Sequence, residues 1–333
     1  MSTNEKPLTP IEKYKSIKFN NNPKLTILSM GLGQDSTTIL LKLIHDKDFR
    51  KKYAPNDLLV LFANTGNEHP YTYSYRDRVI IPLCKEHNIE FVSIESYMGY
   101  HGKNWDSLTT RWETGTPSIG SLAFTRFMNC SHNLKLNPQY RYVEELIAKR
   151  YDGIVNKTRK QNYKQFVELF GSKVNFLIGI AREEENRIFD VEKETLNWKK
   201  ECAEVQYPLI DIGYNRKDCQ DYIAATKTEI PYPSNCMYCP YASTHLELLF
   251  MYHTYPDKFY EWVKYEQAKL DAYKHEEKNL GVSGRVHKAG DRKGEAINLL
   301  DVLDEALKKY PNITLQELNN YKFSHGSNVN SKY

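Results

Sequence analysis

The stretch Leu25-Thr-Ile-Leu-Ser-Met-Gly-Leu-Gly-Gln-Asp-Ser36 decides the fold. Its first five residues form an apolar run between Pro23 and two glycines, which is typical of a buried strand. Apolar residues then recur at helical spacing from Asp35 to Ile44, so the sequence predicts a strand, a tight turn and a helix. Such a turn exposes N–H groups beside the positive end of a helix and binds anions, most often phosphate. Two glycines alone are equally consistent with a turn that binds nothing.

Further alternation of strands and helices follows along the chain. The apolar runs that predict the other strands are 58–63, 91–94, 174–180 and 205–210. A helix is predicted from Pro70 to about His87, because proline is favoured at the first helical position. Strands that alternate with helices are typical of parallel sheets covered on both faces. We therefore predict an α/β fold with an open, mostly parallel, doubly wound sheet and a helical C-terminal appendage.

Length and composition exclude several classes of protein. The chain has 333 residues, of which 40% are hydrophobic and 26% charged, so it is neither disordered nor fibrous. The formal net charge of +4 is too small to indicate nucleic-acid binding by itself. No apolar run is long enough for a membrane span, and the first 24 residues lack an apolar signal core. We therefore expect a cytoplasmic protein with no membrane partner.

The glycine turn fits two common phosphate loops poorly. A Walker loop needs a lysine, and a dinucleotide-binding turn needs a third glycine where Ser36 stands. The turn resembles instead the Ser-Gly-Gly-x-Asp-Ser loop (PP-loop) of the ATP pyrophosphatases, or adenine nucleotide alpha-hydrolases. Its spaced form, Ser-x-Gly-x-Gly, is similar to relatives of phosphoadenosine phosphosulfate (PAPS) reductase. The resemblance implies that the phosphates of an adenine nucleotide are held by Ser29, Gly31, Gly33, Gln34, Asp35 and Ser36.

A second block follows the predicted strand at 58–63. Thr65-Gly66-Asn67-Glu68 resembles the family's Thr-Gly-x-Glu block, which implies that Thr65, Gly66 and Glu68 lie beside the nucleotide. The carboxyl ends of neighbouring parallel strands line one crevice, so this turn is expected to face the first. The local alternative is a capped turn before Pro70.

Two later blocks resemble the same family and keep its order. The stretch from Gly179 to Arg187 is similar to the Gly-Ile-x-x-x-Glu-x-x-Arg block, which implies nucleotide-binding roles for Gly179, Glu184 and Arg187. Arginine suits such a role because its planar fork pairs bidentately with phosphate. A solvated helix start is the alternative, since acidic residues favour the positive end of a helix. Residues 207–219 resemble the block that joins the last strand to a helix.

The blocks and the composition also predict the domain organisation. We expect a polar N-terminal extension at 1–24, a PAPS reductase-like nucleotide-binding domain at 25–243, and a helical region with a loose tail at 244–333. Within the second domain, residues 96–129 carry glycines and tryptophans without clear periodicity. A stretch of that length predicts a functional insertion, here a substrate loop.

The cysteines form a candidate metal site. Cys236 and Cys239 lie in a proline-fixed loop, and thiolates two residues apart can bind one metal. The chain has no second Cys-x-x-Cys, and the resemblance adds Cys130 and Cys219, which lie in matching blocks. A [4Fe-4S] cluster, Zn²⁺ and reduced thiols without metal remain three alternatives. With three protein ligands one iron stays open and can hold sulfur for transfer, whereas four would make the cluster mainly structural.

The resemblance implies an enzyme that binds ATP with Mg²⁺, or PAPS. We expect adenylation of an acceptor followed by sulfur transfer, with Asp35, Cys130 and Arg187 as catalytic residues. The expected partners are the nucleotide, an acceptor that is tRNA, DNA or a small molecule, and a sulfur-donor protein. Sulfonucleotide reduction is the first alternative, although those reductases carry a late catalytic cysteine and this chain has none after Cys239. A non-catalytic module that binds nucleotide or nucleic acid is the second.

Overall fold

The computed structural model describes residues 8–113, 130–157, 159–239, 244–275 and 279–325. The chain divides into two compact units, each made of three separate stretches. The sheet unit comprises Met1–Phe62, Tyr75–Ser93 and Gln139–Ile230. The helical unit comprises Ala63–Ser74, Ile94–Pro138 and Pro231–Tyr333. The predicted domain boundaries stay predictions.

Five parallel strands form one sheet, which confirms the predicted α/β class. The strands are β1 (Leu25–Ser29), β2 (Asp57–Ala63), β3 (Glu90–Ile94), β4 (Val174–Ile178) and β5 (Ala203–Gln206). Their order across the sheet is β3-β2-β1-β4-β5, so the chain builds one side of β1 first and then the other. Ser29 at the end of β1 is paired with Ile178 at the end of β4. The turns that follow these two strands therefore start side by side, at the point where open α/β sheets bind ligands.

Fifteen α-helices accompany the sheet in the described ranges. They are α1 (Pro10–Ser16), α2 (Gln34–His45), α3 (Lys47–Tyr53), α4 (Pro70–Tyr75), α5 (Ile81–Glu86), α6 (Leu108–Glu113), α7 (Asn137–Arg150), α8 (Gln161–Phe170), α9 (Asn197–Cys202), α10 (Pro208–Asp211), α11 (Arg216–Ala225), α12 (His245–Thr254), α13 (Pro256–Ala272), α14 (Leu299–Lys309) and α15 (Leu315–His325). None of the described helices combines the length and apolar character that a membrane span requires.

Prolines explain two differences from the predicted elements. The helix predicted from Pro70 to His87 is divided into α4, a π-helical turn and α5. Pro82 has no N–H to donate to the preceding turn, which interrupts regular helical bonding. The fifth strand ends at Gln206 instead of 210, because Pro208 begins α10 and cannot donate to a sheet ladder. Of the predicted insertion at 96–129, the structure describes 96–113, and the remainder lies outside the described residues.

Each unit has its own apolar core. In the sheet unit, Leu28, Ile39 and Leu177 pack in one buried cluster that joins β1, α2 and β4. In the helical unit, Leu248 and Trp262 belong to a second cluster, built mainly from α12, α13 and α14. Burial of such side chains contributes about 1.5–3 kcal/mol each, so each unit has a substantial core of its own.

Candidate functional site

The hydroxyl group of Ser36 stabilises the turn between β1 and α2 through two hydrogen bonds. Ser36 Oγ accepts a hydrogen bond from Gly31 N at 3.2 Å and donates to the carbonyl oxygen of Gly33 at 3.3 Å. Between the glycines, Leu32 has a φ of 61°, a left-handed conformation that is uncommon for a residue with a side chain. Gly33 is the N-cap of α2 and provides no capping side chain. The positive end of α2 is therefore available to an anion.

Gly179, the first residue after β4, packs directly against this turn. A Cβ atom at Gly179 would lie 2.8 Å from the backbone nitrogen of Ser36 and 3.0 Å from Asp35 Cβ. Only glycine fits at this distance, because a real Cβ would force the backbone of the turn to move. Two residues further on, Ala181 N donates to Asp35 Oδ2 at 3.1 Å. The structure thus brings together two blocks that are 146 residues apart in the sequence.

Asp35 lies within a network of charged side chains in the sheet unit. Arg216 Nη2 donates to Glu184 Oε1 at 3.0 Å, and Arg187 donates to the other oxygen of Glu184. Desolvation, together with the nearby charge of Glu184, raises the pKa of Asp35 to about 6, although Arg216 and the N–H of Ala181 oppose the shift. A carboxylate that ionises just below neutral pH, beside two guanidinium groups and a helix N-terminus, suits the binding of a phosphate with its metal ion.

Two other polar contacts position the same site. Gln139 Nε2 donates to Ser29 Oγ at 2.9 Å, and Gln220 Nε2 donates to Gln34 Oε1 at 3.1 Å.

Arg216 is a further member of the charged network. Burial lowers the pKa of Arg216, but the charges of Asp35 and Glu184 outweigh this effect, so that the pKa is raised. Sequence analysis did not assign Arg216 to the site. A signal was present, because Arg216 is the first residue of α11, where the helix dipole disfavours a cation unless acids compensate.

The helical unit holds a second cluster, built around Cys236. Glu68 and Cys236 form an antiparallel bridge. Thr65 Oγ1 lies 3.3 Å from Cys236 Sγ and donates to Glu68 Oε1 at 3.0 Å. Lys135 Nζ lies 3.7 Å from the same carboxylate oxygen. Thr65 and Glu68, predicted beside the nucleotide, thus contact a cysteine and its neighbours, and their nucleotide role stays a prediction.

Three thiols share the surroundings of Lys135. Its pKa is raised, chiefly by Glu68 and further by Cys236, Cys239 and Cys130. Burial raises the pKa of the Cys236 and Cys130 thiols, and the charge of Lys135 opposes both shifts. Lys135 is not among the site residues predicted from the sequence. Its positive charge acts on the thiols of both Cys236 and Cys130.

The donor set of this cluster fits a metal by type, although its arrangement is not that of a formed site. Cys130, Cys236 and Cys239 are soft thiol ligands, which suit iron–sulfur clusters and zinc. Glu68 Oε2 is buried without a hydrogen-bond partner among the described residues. Within those residues, no group of three or more Cys, His, Asp or Glu is placed to hold a metal ion.

Cys219 has different surroundings from those three cysteines. It is fully buried in the apolar core of the sheet unit, and its carbonyl oxygen accepts a hydrogen bond from Thr38 Oγ1 at 3.3 Å. Burial raises the pKa of its thiol and the charge of Asp35 adds to the shift. Its role as a fourth ligand stays a prediction.

The parallel sheet and the turn after β1 define an open-sheet α/β protein with a candidate phosphate site. Two solved structures are similar to it. A PAPS reductase from Candida auris, in complex with phosphate, is 15% identical with a TM-score of 0.34, and the match covers 67% of this chain and 82% of the reductase. The U34-tRNA thiolase NcsA from Methanococcus maripaludis, with its [4Fe-4S] cluster, is 14% identical with a TM-score of 0.37, over 74% of this chain and 73% of the thiolase. No protein-family model and no curated protein matches the chain.

Proposed function

We propose that this protein is an adenine-nucleotide enzyme that activates an acceptor with ATP and then transfers sulfur to it. The observation that carries this proposal is the contact of Gly179 with Ser36 and Asp35. This contact brings the turn after β4 against the turn after β1, which supports one anion site shared by the two turns. The charged pair Arg216 and Glu184 lies at the same place, where a nucleotide needs both positive charge and a metal-binding carboxylate.

The residues of the sheet unit would have different roles during adenylation. The N–H groups at the start of α2 would bind phosphate oxygens, and ionised Asp35 would hold the Mg²⁺ that accompanies ATP. An oxygen of the acceptor attacks the α-phosphorus, and pyrophosphate leaves with the electron pair of the broken P–O bond. Arg187 and Arg216 offset the negative charge that grows on the departing phosphates. A sulfide-level donor then displaces AMP from the acceptor.

The helical unit supports the sulfur half of the proposal. Cys130, Cys236 and Cys239 would hold an iron–sulfur cluster, or zinc in the alternative. When bound, such a cluster supplies an iron that the protein leaves open for sulfur. Lys135 offsets the negative charge of the thiolates, and Glu68 fixes the position of Lys135 through their contact at 3.7 Å.

Product analysis tests the proposal directly. The anaerobically purified protein is incubated with ATP, Mg²⁺, single-stranded RNA and sodium sulfide as the sulfur donor, and we expect AMP and pyrophosphate. Asp35→Asn should lower their formation about 100-fold, the usual cost of one preorganised charged contact. The matched control is Asp48→Asn, an exposed carboxylate on α3, which should act like the wild type.

Two results would contradict the proposal. Release of ADP would mean that ATP is cleaved between its β- and γ-phosphates and not, as proposed, between its α- and β-phosphates. Tight ATP binding without cleavage, even in a single-turnover experiment with enzyme in excess, would favour the non-catalytic module instead.

A further inference from the structure

Two cations are buried together in the helical unit without an acidic partner. Arg111 on α6 is 7% exposed and Lys269 on α13 is 5% exposed. Among the described residues, neither side chain makes a hydrogen bond or an ion pair, and Arg111 Nε is buried without an acceptor. Burying one unpaired charge is costly, and burying two like charges costs more. A bound anion would offset both charges through charge-assisted hydrogen bonds.

The two helices that carry these cations are in contact. Tyr265, one turn before Lys269 on α13, donates at 3.0 Å to Oε1 of Glu113, which lies two residues after Arg111 on α6. Burial and then the charge of Arg111 lower the pKa of Lys269, so the two cations act on each other. Desolvation alone lowers the pKa of Arg111, without a compensating carboxylate.

Two acidic side chains that are close to these cations along the chain are bound to other groups. Glu266 lies three residues before Lys269 on α13, a spacing that allows an ion pair. Its two oxygens instead accept the backbone N–H groups of Val282 and Leu299, each at 2.6 Å. Glu113 Oε1 accepts a hydrogen bond from the hydroxyl group of Tyr265. Among the described residues, no carboxylate therefore pairs with either cation.

We propose that Arg111 and Lys269 form a binding site for a phosphate group of the acceptor. The guanidinium carbon of Arg111 lies 4.2 Å from the centre of the Trp105 ring, and this stacking fixes the guanidinium plane while its N–H edges stay usable. An arginine fork together with a lysine point charge is a common set of donors for phosphate. The site's part in sulfur transfer rests on the proposed function, where a nucleic-acid acceptor would supply the phosphate.

The ligand has two sources, a free phosphate group or the backbone of a nucleic acid, and two probes distinguish them. Inorganic phosphate and a short single-stranded RNA without terminal phosphates are each titrated into the full chain. The variant Lys269→Met should weaken binding of the probe about tenfold, the loss of one charge-assisted hydrogen bond. Lys264→Met is the matched control, because Lys264 is an exposed residue on the same helix.

Loss of both affinities in Lys269→Met identifies backbone phosphate, and loss of phosphate binding alone identifies a small phosphorylated ligand. Both results support the site. Unchanged binding of both probes would overturn it. Since AMP formation is not measured, this result is independent of the adenylation test.

A stability measurement tests whether Lys269 has a purely structural role instead. In phosphate-free buffer, Lys269→Met should be at least as stable as the wild type, because a buried like charge has been removed. A marked loss of stability would mean that Lys269 has an internal partner and would overturn the proposal. Arg111→Lys is the second variant: it keeps the charge but loses the planar fork, so it should also weaken phosphate binding.

Discussion

Lys322 Nζ lies 2.8 Å from Glu247 Oε2, and the two side chains are 0% and 4% exposed. The same ammonium donates to Asn235 Oδ1 at 2.9 Å, and Asn235 immediately precedes Cys236. One buried charge on α15 thus connects α12 with the start of the cysteine loop. The pair lies within the helical unit and links its last helix to the thiol cluster.

Breaking this ion pair should destabilise the protein strongly. Lys322→Met leaves the carboxylate of Glu247 buried without its cation, and we expect the free energy of unfolding to fall by about 3–5 kcal/mol. Denaturant unfolding measures the change. Lys308→Met, on the exposed face of α14, is the control and should change stability by less than about 0.5 kcal/mol.

The double variant Lys322→Met/Glu247→Leu separates lost pairing from lost packing. Replacing both partners by apolar side chains should recover most of the stability, because no charge is left unpaired. If the double variant is as unstable as Lys322→Met, the ion pair is not the cause of the loss.

Gly179→Ala should weaken nucleotide binding strongly while the fold survives. The added methyl group would meet the backbone nitrogen of Ser36 at 2.8 Å, so the anion-binding turn has to shift. We expect the affinity for ATP, measured by calorimetric titration, to fall about 100-fold, since a displacement of about 1 Å has effects of that size. Gly102→Ala is the matched control, because its new Cβ meets only Trp105 Cβ at 3.9 Å. Unchanged ATP affinity in Gly179→Ala would place the nucleotide elsewhere.

Local signals predicted the parts of the fold that depend on neighbouring residues. The bounds of β1, Leu25–Ser29, agree with the sequence because an apolar run, Pro23 and a glycine turn all act within a few positions. The predicted end of β5, at residue 210, was wrong, although the sequence signal that marks its true end is equally local. Apolar residues continue to Ile210, but Pro208 removes a ladder donor and begins α10.

Contacts between residues that are far apart along the chain could not be predicted from the sequence. Glu184 was grouped with the nucleotide by its motif, whereas its partner Arg216, 32 residues later, is identified only by their ion pair. The same holds for Lys135, one of 46 basic residues, which is distinguished by its contact with Glu68. Charge and spacing alone do not reveal which cation meets which acid in the folded chain.

Glu266 should make the stability of the protein depend on pH. Its carboxylate is 1% exposed, and burial raises its pKa to about 7 despite two backbone N–H donors. The folded state therefore holds this proton more tightly than the unfolded state, whose pKa lies near 4.5. The stabilising effect of protonation is complete below about pH 4.5 and is lost as the pH rises through about 7. The total change is on the order of 3 kcal/mol.

Unfolding in urea at pH 5 and pH 8 measures this effect. Stability should decrease between these values more in the wild type than in Glu266→Gln, which cannot ionise. Glu168→Gln, at an exposed position on α8, is the control and should keep the pH dependence of the wild type. An identical pH dependence in wild type and Glu266→Gln would show that Glu266 stays in one protonation state over this range.

Cysteine variants should divide the four predicted metal ligands into two groups. Cys236 lies beside Glu68, Thr65 and the ammonium of Lys135, where a bound metal would replace buried polar contacts. Cys219 lies instead in an apolar core, where its thiol is packed like a small hydrophobic side chain. We therefore expect Cys236→Ala to remove iron or zinc from the anaerobically purified protein, and Cys219→Ala to retain it at the wild-type ratio.

Elemental analysis and visible absorbance measure the metal, and Cys84→Ala serves as the control, since Cys84 is a second buried cysteine of the sheet-unit core. Equal loss of metal in Cys219→Ala and Cys236→Ala would support four ligands and a closed cluster. Wild-type protein without metal would leave reduced thiols as the remaining alternative. Retention of metal in Cys219→Ala alone would favour three ligands, because a cluster held by three thiolates keeps one iron open for the sulfur that the proposed reaction transfers.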